Sequence, residues 1–372
     1  MTSFTLFLSL VWLLFSGQVW AGSAIWQPAL KPRDHDQKLD PRYYYVNKDT
    51  MATDRIAWDK RVIRYCFSSD DATQAAKSRL KKYLKDARKL WISKGLNSNF
   101  RIEEVNDKVC VDERNDILLV VYSGDSESSG MATYVGFPGK GVVMLANQGP
   151  TMTLTDRSNM GLLDVVANFA HELGHAWGLY HEHQNPKFWG EGVAGSDGGE
   201  VWGPNNPGGW NCHYLKDYAR QVTGLVVQTG NGGMRQINQQ SLCTNWAMAA
   251  ANRFSAADYL PMPNVGTAHS AGHGTNNVDW RSIMIYPSGA GAIATESGPI
   301  TADNDHRERI LQKPDGSRIP INLFPSDLDI AALEAMYASV GGTKLDLLNT
   351  ISNFKKVYKS SNSGPSGGSG CL

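Results

Sequence analysis

An eleven-residue motif restricts the fold of this chain more than any other stretch. From His171 to His181 it reads His-Glu-Leu-Gly-His-Ala-Trp-Gly-Leu-Tyr-His. His171 and His175 are four residues apart and therefore face the same side of a helix, about one turn from each other. Gly178 can adopt a positive φ and turn the chain, so that His181 returns toward the other two. The spacing predicts a helix that ends in a sharp turn, with three imidazoles close together.

This set of side chains indicates a metal site. Three imidazoles suit zinc, and they leave the fourth tetrahedral position to water, which is typical of a catalytic rather than a structural site. Glu172, directly after the first histidine, can take a proton from such a water. The competing interpretation, ordinary polar residues on a solvated helix face, requires five residue types to match by chance. We therefore predict Zn²⁺ as the cofactor, with His171, His175 and His181 as its ligands.

A second motif lies downstream, at Ser282-Ile283-Met284-Ile285-Tyr286. Taken alone, Met284 reads as a core residue and Tyr286 as packing beside a turn. Together with the long zinc motif, and with Glu182 directly after the third histidine, they make the chain resemble the astacin-like metalloproteases of the metzincin clan.

The resemblance implies an α+β fold: a five-stranded mixed sheet and two long helices above a cleft, with a smaller, mostly irregular lower subdomain. It implies that Met284 forms an apolar floor beneath the zinc. It also implies that Tyr286 is a displaceable fifth ligand that stabilises the transition state. The substrate would be a protein or peptide, bound along an antiparallel edge strand near Ala132-Thr133-Tyr134.

Composition and the N-terminus bear on the location of the protein. The chain has 372 residues and a formal net charge of zero, so charge offers no reason to expect a nucleic-acid partner. An apolar run from Phe4 to Phe15 is followed by Val19-Trp20-Ala21, which predicts a signal peptide over residues 1–21. The run is short for a membrane span, which needs about 20 apolar residues. We expect a secreted, extracellular protein without a stable membrane anchor; the oligomeric state stays open.

The five cysteines indicate structural disulfides. None lies at zinc-ligand spacing, and in an oxidising compartment an even subset should pair. Our preferred pairing is Cys66–Cys110 and Cys212–Cys243, which leaves Cys371 free. The sequence does not fix this connectivity, so other pairings remain open.

The periodicity of apolar residues predicts the order of the main elements. A strand over Val62–Phe67 precedes a helix over residues 72–94, whose start Asp70 or Asp71 could cap. Ser326-Asp327-Leu328-Asp329 reads as a capped helix start, with the helix continuing to Tyr337. Further strands are predicted at 100–105, 117–122, 132–135 and 142–146, and helices at 161–177, 214–222 and 245–259.

These elements suggest a division of the chain into four parts. Residues 1–21 are the signal peptide, 22–57 an N-terminal extension or propeptide, 58–342 the zinc metalloprotease domain, and 343–372 a Ser/Gly-rich tail, disordered at its end. The domain contains an insertion at about 190–280 that is rich in Gly, Asn and Trp. This insertion either walls the cleft or forms a solvated surface elaboration.

Three functions are compatible with the sequence. The first is a secreted zinc endopeptidase in which Glu172 is the general base and Tyr286 assists the oxyanion. The second is a secreted zinc-binding protein that has lost catalysis; the retention of Glu172 argues against it, because zinc binding alone does not need that carboxylate. The third is a metzincin protease of another family, which would not use Tyr286.

Overall fold

The structure is a computed structural model, and it describes most of the predicted domain. The described residues are 20–21, 43–46, 55–68, 73–124, 130–138, 149–204, 209–222, 226–228, 234–236, 239–261, 268–271, 278–298, 300 and 304–338. The fold is α+β, as predicted: a mixed sheet with two long helices, followed by a mostly irregular region. The predicted tail at 343–372 and most of the predicted extension at 22–57 lie outside the described residues.

The described strands are short, and half of them belong to one sheet. They are β1 Trp20–Ala21, β2 Tyr43–Val46, β3 Arg55–Ile56, β4 Val62–Phe67, β5 Arg101–Glu104, β6 Leu118–Tyr122, β7 Ala132–Tyr134, β8 Phe137–Pro138, β9 Thr151–Leu154, β10 Val226–Gln228, β11 Met234–Gln236 and β12 Ala268–Ala271. The main sheet has the order β1-β7-β9-β6-β4-β5. Its strands β5, β4, β6 and β9 are parallel, and β7 joins β9 antiparallel. Smaller antiparallel pairs join β2 to β12, β3 to β8 and β10 to β11.

Two features of the sheet differ from the sequence prediction. The predicted strand at 142–146 lies outside the described residues, and β9, which the prediction missed, forms the fifth strand. β9 is only four residues long and alternates threonine with apolar residues, which makes a weak signal in a single sequence. The sixth strand, β1, lies on the side of β7 opposite β9, where it pairs Trp20 with Tyr134 and Ala21 with Thr133.

The described helices are α1 Gln74–Ser93, α2 Asp107–Asp112, α3 Val165–Trp177, α4 Tyr218–Val222, α5 Gln239–Thr244, α6 Trp246–Ala251 and α7 Asp327–Ala338. Thr73 caps α1 by accepting a hydrogen bond from the Ala76 amide, so the predicted caps at Asp70 and Asp71 are wrong. The predicted helix at 245–259 is interrupted after Ala251 and resumes as a 3-10 turn over Ser255–Asp258.

The two long helices pack against each other through large aromatic side chains. One side of α1 is buried, and its Trp91 donates a hydrogen bond from Nε1 to the Ala170 carbonyl of α3 at 2.9 Å. Trp91 also meets Trp177 edge to face, with ring centroids 5.8 Å apart. Trp58, just before β4, donates to the Ala176 carbonyl at 2.7 Å. These contacts hold α3 across the middle of the domain core.

The chain after the zinc motif is packed into the same core, although it has few regular elements. Trp189 and Trp202 are fully buried, and Trp202 donates a hydrogen bond from Nε1 to the Gln312 carbonyl at 3.0 Å. Leu215 and Leu260 are buried in the same apolar cluster as α1 and α3. Trp202, Leu215 and Leu260 of the proposed insertion at 190–280 therefore lie in the core.

Two disulfides join described residues. Cys66 pairs with Cys110 beside the sheet, and Cys212 pairs with Cys243 in the irregular region, which is the pairing we preferred. Cys371 lies outside the described residues. Among the helices that the structure describes, none has the length and apolarity needed to cross a bilayer.

Candidate metal centre

Helix α3 places the first two histidines of the motif. Asp164 caps its start by accepting a hydrogen bond from the Ala167 amide at 2.8 Å. The helix ends at Gly178, whose φ of 117° lies in the left-handed region that favours glycine. The Gly178 amide donates to the carbonyls of Gly174 and His175, at 3.1 and 2.8 Å, which closes the turn. The chain then reverses and brings His181 back to the helix.

The three histidines converge on one point. The Nε2 atom of His175 lies 3.0 Å from Nε2 of both His171 and His181, and the latter two are 3.2 Å apart. All three residues are at most 1% exposed. In the described part of the chain, no other three His, Cys, Asp or Glu side chains bring their ligand atoms within 4.8 Å of one another.

Hydrogen bonds at the far ring nitrogens determine the tautomers of the first two histidines. Nδ1 of His171 lies 2.8 Å from the Ile283 carbonyl, and Nδ1 of His175 lies 2.7 Å from the Leu179 carbonyl. A carbonyl can only accept, so each Nδ1 carries the hydrogen and donates it. Each Nε2 then presents a lone pair to the shared point.

The third histidine is oriented by a side chain that the sequence analysis missed. Gln184 is buried, and its Nε2 donates to the carbonyls of Ala257 and Leu260, both at 3.1 Å. These bonds fix the amide so that Oε1 accepts from Nδ1 of His181, at 2.9 Å. Gln184 lies three residues after His181 in a 3-10 turn, and its position in the sequence gives no signal of this contact.

Electrostatics favour neutral imidazoles at this point. Burial lowers the pKa of His171 to about 4 and holds the pKa of His181 well below its usual value, where the neighbouring imidazoles add to the effect. Three lone pairs that face each other at this separation repel unless a cation or a proton lies between them. Because His171 and His181 resist protonation, a metal cation is a better occupant than a proton.

The donor set fits zinc. A tetrahedral zinc ion with nitrogen ligands at about 2.1 Å holds neighbouring nitrogens about 3.4 Å apart. The observed separations of 3.0 to 3.2 Å are smaller by only a few tenths of an ångström. Each candidate ligand also donates the hydrogen on Nδ1 to a fixed acceptor, as imidazole ligands of metals generally do with the nitrogen that faces away from the metal.

Glu172 is buried beside the histidines and makes one contact with the sheet. Thr133 of β7 donates from Oγ1 to Oε2 of Glu172 at 2.5 Å. Burial raises the pKa of Glu172 to about 8, and the hydrogen bond from Thr133 opposes that rise. A nearby cation would also oppose the rise and lower the pKa of Glu172. The edge strand therefore positions the carboxylate, a role for Thr133 that the sequence analysis did not assign.

The downstream motif packs directly against the histidines. The ring of Tyr286 lies 4.4 Å from the ring of His181 between centroids. Met284 reaches the underside of α3, because a Cβ atom at Gly174 would lie 2.5 Å from its sulfur. The backbone amide of Glu182 donates to the Met284 carbonyl at 3.1 Å. The structure thus brings Tyr286, Met284, Glu182 and the three histidines into one neighbourhood.

Two buried carboxylates lie behind this neighbourhood and were not singled out from the sequence. Asp279 and Asp329 are both buried, and Ser326 contacts both: its hydroxyl donates to Asp279 and its amide to Asp329. Burial raises the pKa of Asp329 to about 7, and the charge of Asp279 adds to the rise. The pKa of Asp279 is raised as well, mainly by burial.

A cavity of about 460 Å³ lies apart from the candidate metal centre. Its lining is polar and includes His306, Arg307 and Arg318, but none of the three converging histidines. The candidate site is therefore identified by the convergence of side chains and not by the size of an opening.

Comparisons with known proteins do not extend this picture. No protein-family model matches the sequence, and no curated protein matches it. One solved structure that matches is high choriolytic enzyme 1, a hatching enzyme zinc-protease from the medaka fish Oryzias latipes, at 15% identity and a TM-score of 0.33, covering 78% of this chain and 98% of that chain. Another is myroilysin, at 15% identity and a TM-score of 0.34, covering 77% of this chain and 86% of that chain. By its zinc motif and its three converging histidines, the chain resembles the astacin-like metalloproteases.

Proposed function

We propose that this chain is a zinc-dependent endopeptidase that hydrolyses protein or peptide substrates. The observation that carries the proposal is the convergence of three Nε2 lone pairs within 3.2 Å, next to the buried carboxylate of Glu172. His171, His175 and His181 hold the zinc. The ion, when bound, supplies a Lewis acid that polarises a carbonyl and acidifies a water.

Glu172 moves the proton in this proposal. Its carboxylate takes a proton from the attacking water and delivers it to the nitrogen of the leaving amine. The hydrogen bond from Thr133 supports this role, because it holds the carboxylate in place beside the three histidines. Tyr286, packed on His181, donates its phenol hydrogen to the oxyanion, and Met284 forms the apolar floor.

The edge strand β7 is the proposed binding site for an extended substrate. An unpaired edge can add one more strand through main-chain hydrogen bonds, and Thr133 of β7 also contacts Glu172. In the full chain β1 occupies this edge, and β1 consists of Trp20 and Ala21, the last residues of the proposed signal peptide. Removal of residues 1–21 during secretion would free the edge. Residues 22–57 would then be the extension or propeptide of the domain at 58–342.

Digestion of a peptide library with a chain that begins at Gly22, with and without a chelator, tests the proposal. The Glu172→Gln variant should keep one zinc per chain and lose at least about 100-fold in turnover. Glu191→Gln, at an exposed glutamate, is the matched control and should keep full activity. Unchanged cleavage by Glu172→Gln would refute the assignment of the base.

One observation favours a second candidate, a zinc-binding protein without catalysis. His171, His175 and Glu172 are at most 1% exposed, which is typical of a closed structural site. This reading predicts bound zinc but no cleavage of any library peptide, before or after N-terminal processing. A Tyr286→Phe variant with an unaltered rate would instead favour a metzincin protease that does not use this tyrosine.

A further inference from the structure

The motif from Ser326 to Asp329 forms a reciprocal cap of helix α7. The Asp329 amide donates to Oγ of Ser326 at 2.9 Å, and the Ser326 amide donates to Oδ2 of Asp329 at 2.8 Å. This is the capping box that the sequence predicts. The cap alone does not account for the position of Asp329, which is 6% exposed and faces the turn at Ser282.

The carboxylate of Asp329 makes two further contacts with that turn. Oδ1 accepts from Oγ of Ser282 at 2.6 Å, and Oδ2 accepts from the Ile283 amide at 2.9 Å. The Ser282 hydroxyl is itself an acceptor, for the Met284 amide at 2.9 Å. Every residue in this set is buried.

These bonds form one directed chain that ends at a candidate metal ligand. The Ile283 carbonyl and the Met284 amide belong to the same peptide group. His171 donates from Nδ1 to that carbonyl at 2.8 Å, the amide at the other end of the group donates to Ser282, and Ser282 donates to Asp329. All donors point the same way, so each bond polarises the next and the effects add.

We propose that Asp329 is a positioning residue for His171 and acts on it through Ser282 and one polarised peptide group. The arrangement is a carboxylate–histidine pair with a peptide between the two partners. Its consequence is an imidazole of fixed orientation and greater basicity at Nε2, and hence tighter binding of zinc. The inference rests on the proposed function, in that zinc occupies the three histidines.

Single substitutions separate this role from helix capping. Ser282→Ala breaks the chain of hydrogen bonds and keeps the cap, whereas Ser326→Ala breaks the cap and keeps the chain. Asp327→Asn, at an exposed residue of the same helix turn, is a control that changes neither the chain of hydrogen bonds nor the cap. We expect Ser282→Ala to weaken zinc binding about three- to tenfold, with Ser326→Ala and Asp327→Asn close to wild type. Competition with a chromophoric chelator at pH 8 measures the affinities.

Proton NMR of the histidine ring N–H groups supplies a readout that a purely structural role would not change. In Ser282→Ala the Nδ1 hydrogen of His171 should shift upfield, because its hydrogen bond weakens. The Nδ1 hydrogen of His175, bonded to the Leu179 carbonyl, should not move. Equal zinc affinity in Ser282→Ala and wild type, or an equal loss in Ser326→Ala, would overturn the inference. If the wild-type protein binds no zinc, the proposed function itself fails, which is a separate result.

Discussion

The two parts of the domain that meet at the candidate metal centre are built in different ways. The sheet region, which we define as the described residues from Arg55 to Trp177, consists mainly of strands and two long helices. The loop region, the described residues from Glu182 to Ala338, holds its core together with buried tryptophans, short helical turns and a disulfide. Both regions share one apolar cluster.

The two regions also contribute differently to the site. The sheet region supplies His171, His175 and Glu172 from one helix, at positions that local helical spacing determines. The loop region supplies the acceptors for His171 and His181, through the Ile283 carbonyl and Gln184. The comparison suggests that regular structure places the ligands, while long-range contacts of the irregular part orient them.

The largest expected effect tests whether the loop region is as much a part of the core as the sheet region. Trp202→Ala and Trp91→Ala each remove a fully buried indole, one from each region. Each should lower the free energy of unfolding by about 3–5 kcal/mol. Denaturant titration of both variants measures the loss. A loss below about 1 kcal/mol for Trp202→Ala alone would separate the two regions and contradict a shared core.

The two disulfides allow a matched comparison of the regions, with a somewhat smaller expected effect on stability. Cys66–Cys110 and Cys212–Cys243 close loops of similar length, with sequence separations of 44 and 31. Replacing either pair with serine should cost about 2–4 kcal/mol of stability, because each bond restricts the unfolded chain. Only removal of Cys212–Cys243 should also weaken zinc binding, since that bond lies in the region that orients the ligands. An equal effect of both pairs on zinc affinity would break the proposed division of roles.

Removal of Gln184 tests the orienting role of the loop region directly. Gln184→Ala leaves Nδ1 of His181 without its acceptor and should weaken zinc binding about 10- to 100-fold. Gln240→Ala, at an exposed glutamine of the same region, is the control and should bind zinc like the wild type. Chelator competition measures both affinities. Unchanged zinc binding in Gln184→Ala would show that the turn at Gly178 is sufficient to hold His181.

One carboxylate from each region, Asp329 and Asp156, should contribute to the pH dependence of stability with opposite signs. Burial raises the pKa of Asp329 from 3.8 to about 7, so its contribution to stability is complete below pH 4 and is lost as the pH rises through 7. Burial alone would raise the pKa of Asp156, but hydrogen bonds from Arg79 and Tyr122 outweigh it and lower the pKa. Its contribution is therefore lost as the pH falls below about 4.

The free energy of unfolding, measured between pH 4 and pH 8, checks the contrast between Asp329 and Asp156. Asp329→Asn should remove a slope of up to about 1.4 kcal/mol per pH unit from the wild-type plot of unfolding free energy against pH. Asp156→Asn should leave this plot nearly unchanged between about pH 4 and pH 8. The charge of Asp279 affects the size of the slope but not its sign, because it also raises the pKa of Asp329. The difference between the wild-type and Asp329→Asn curves isolates this group from the buried histidines, whose lowered pKa values act with the opposite sign. A difference that does not fall between pH 4 and pH 7 would contradict the assignment.

Much of the sheet region was predictable from the sequence. The buried residues of α1 recur at the period of a helix, and β4 and β6 are short apolar-rich runs of strand length. The misses have local causes as well. The cap of α1 shifted to Thr73 because serine, threonine and aspartate compete for such positions, and β9 was too short to detect.

The sequence by itself determined the chemistry of the candidate centre. The spacing of His171, His175 and Gly178 depends only on helix geometry and on the φ that glycine allows, so three imidazoles near one point could be read from the chain. Only the tertiary structure decided what holds them. Gln184, Thr133 and Asp329 reach the site through contacts that bring distant or differently oriented segments together, and no local pattern encodes such contacts.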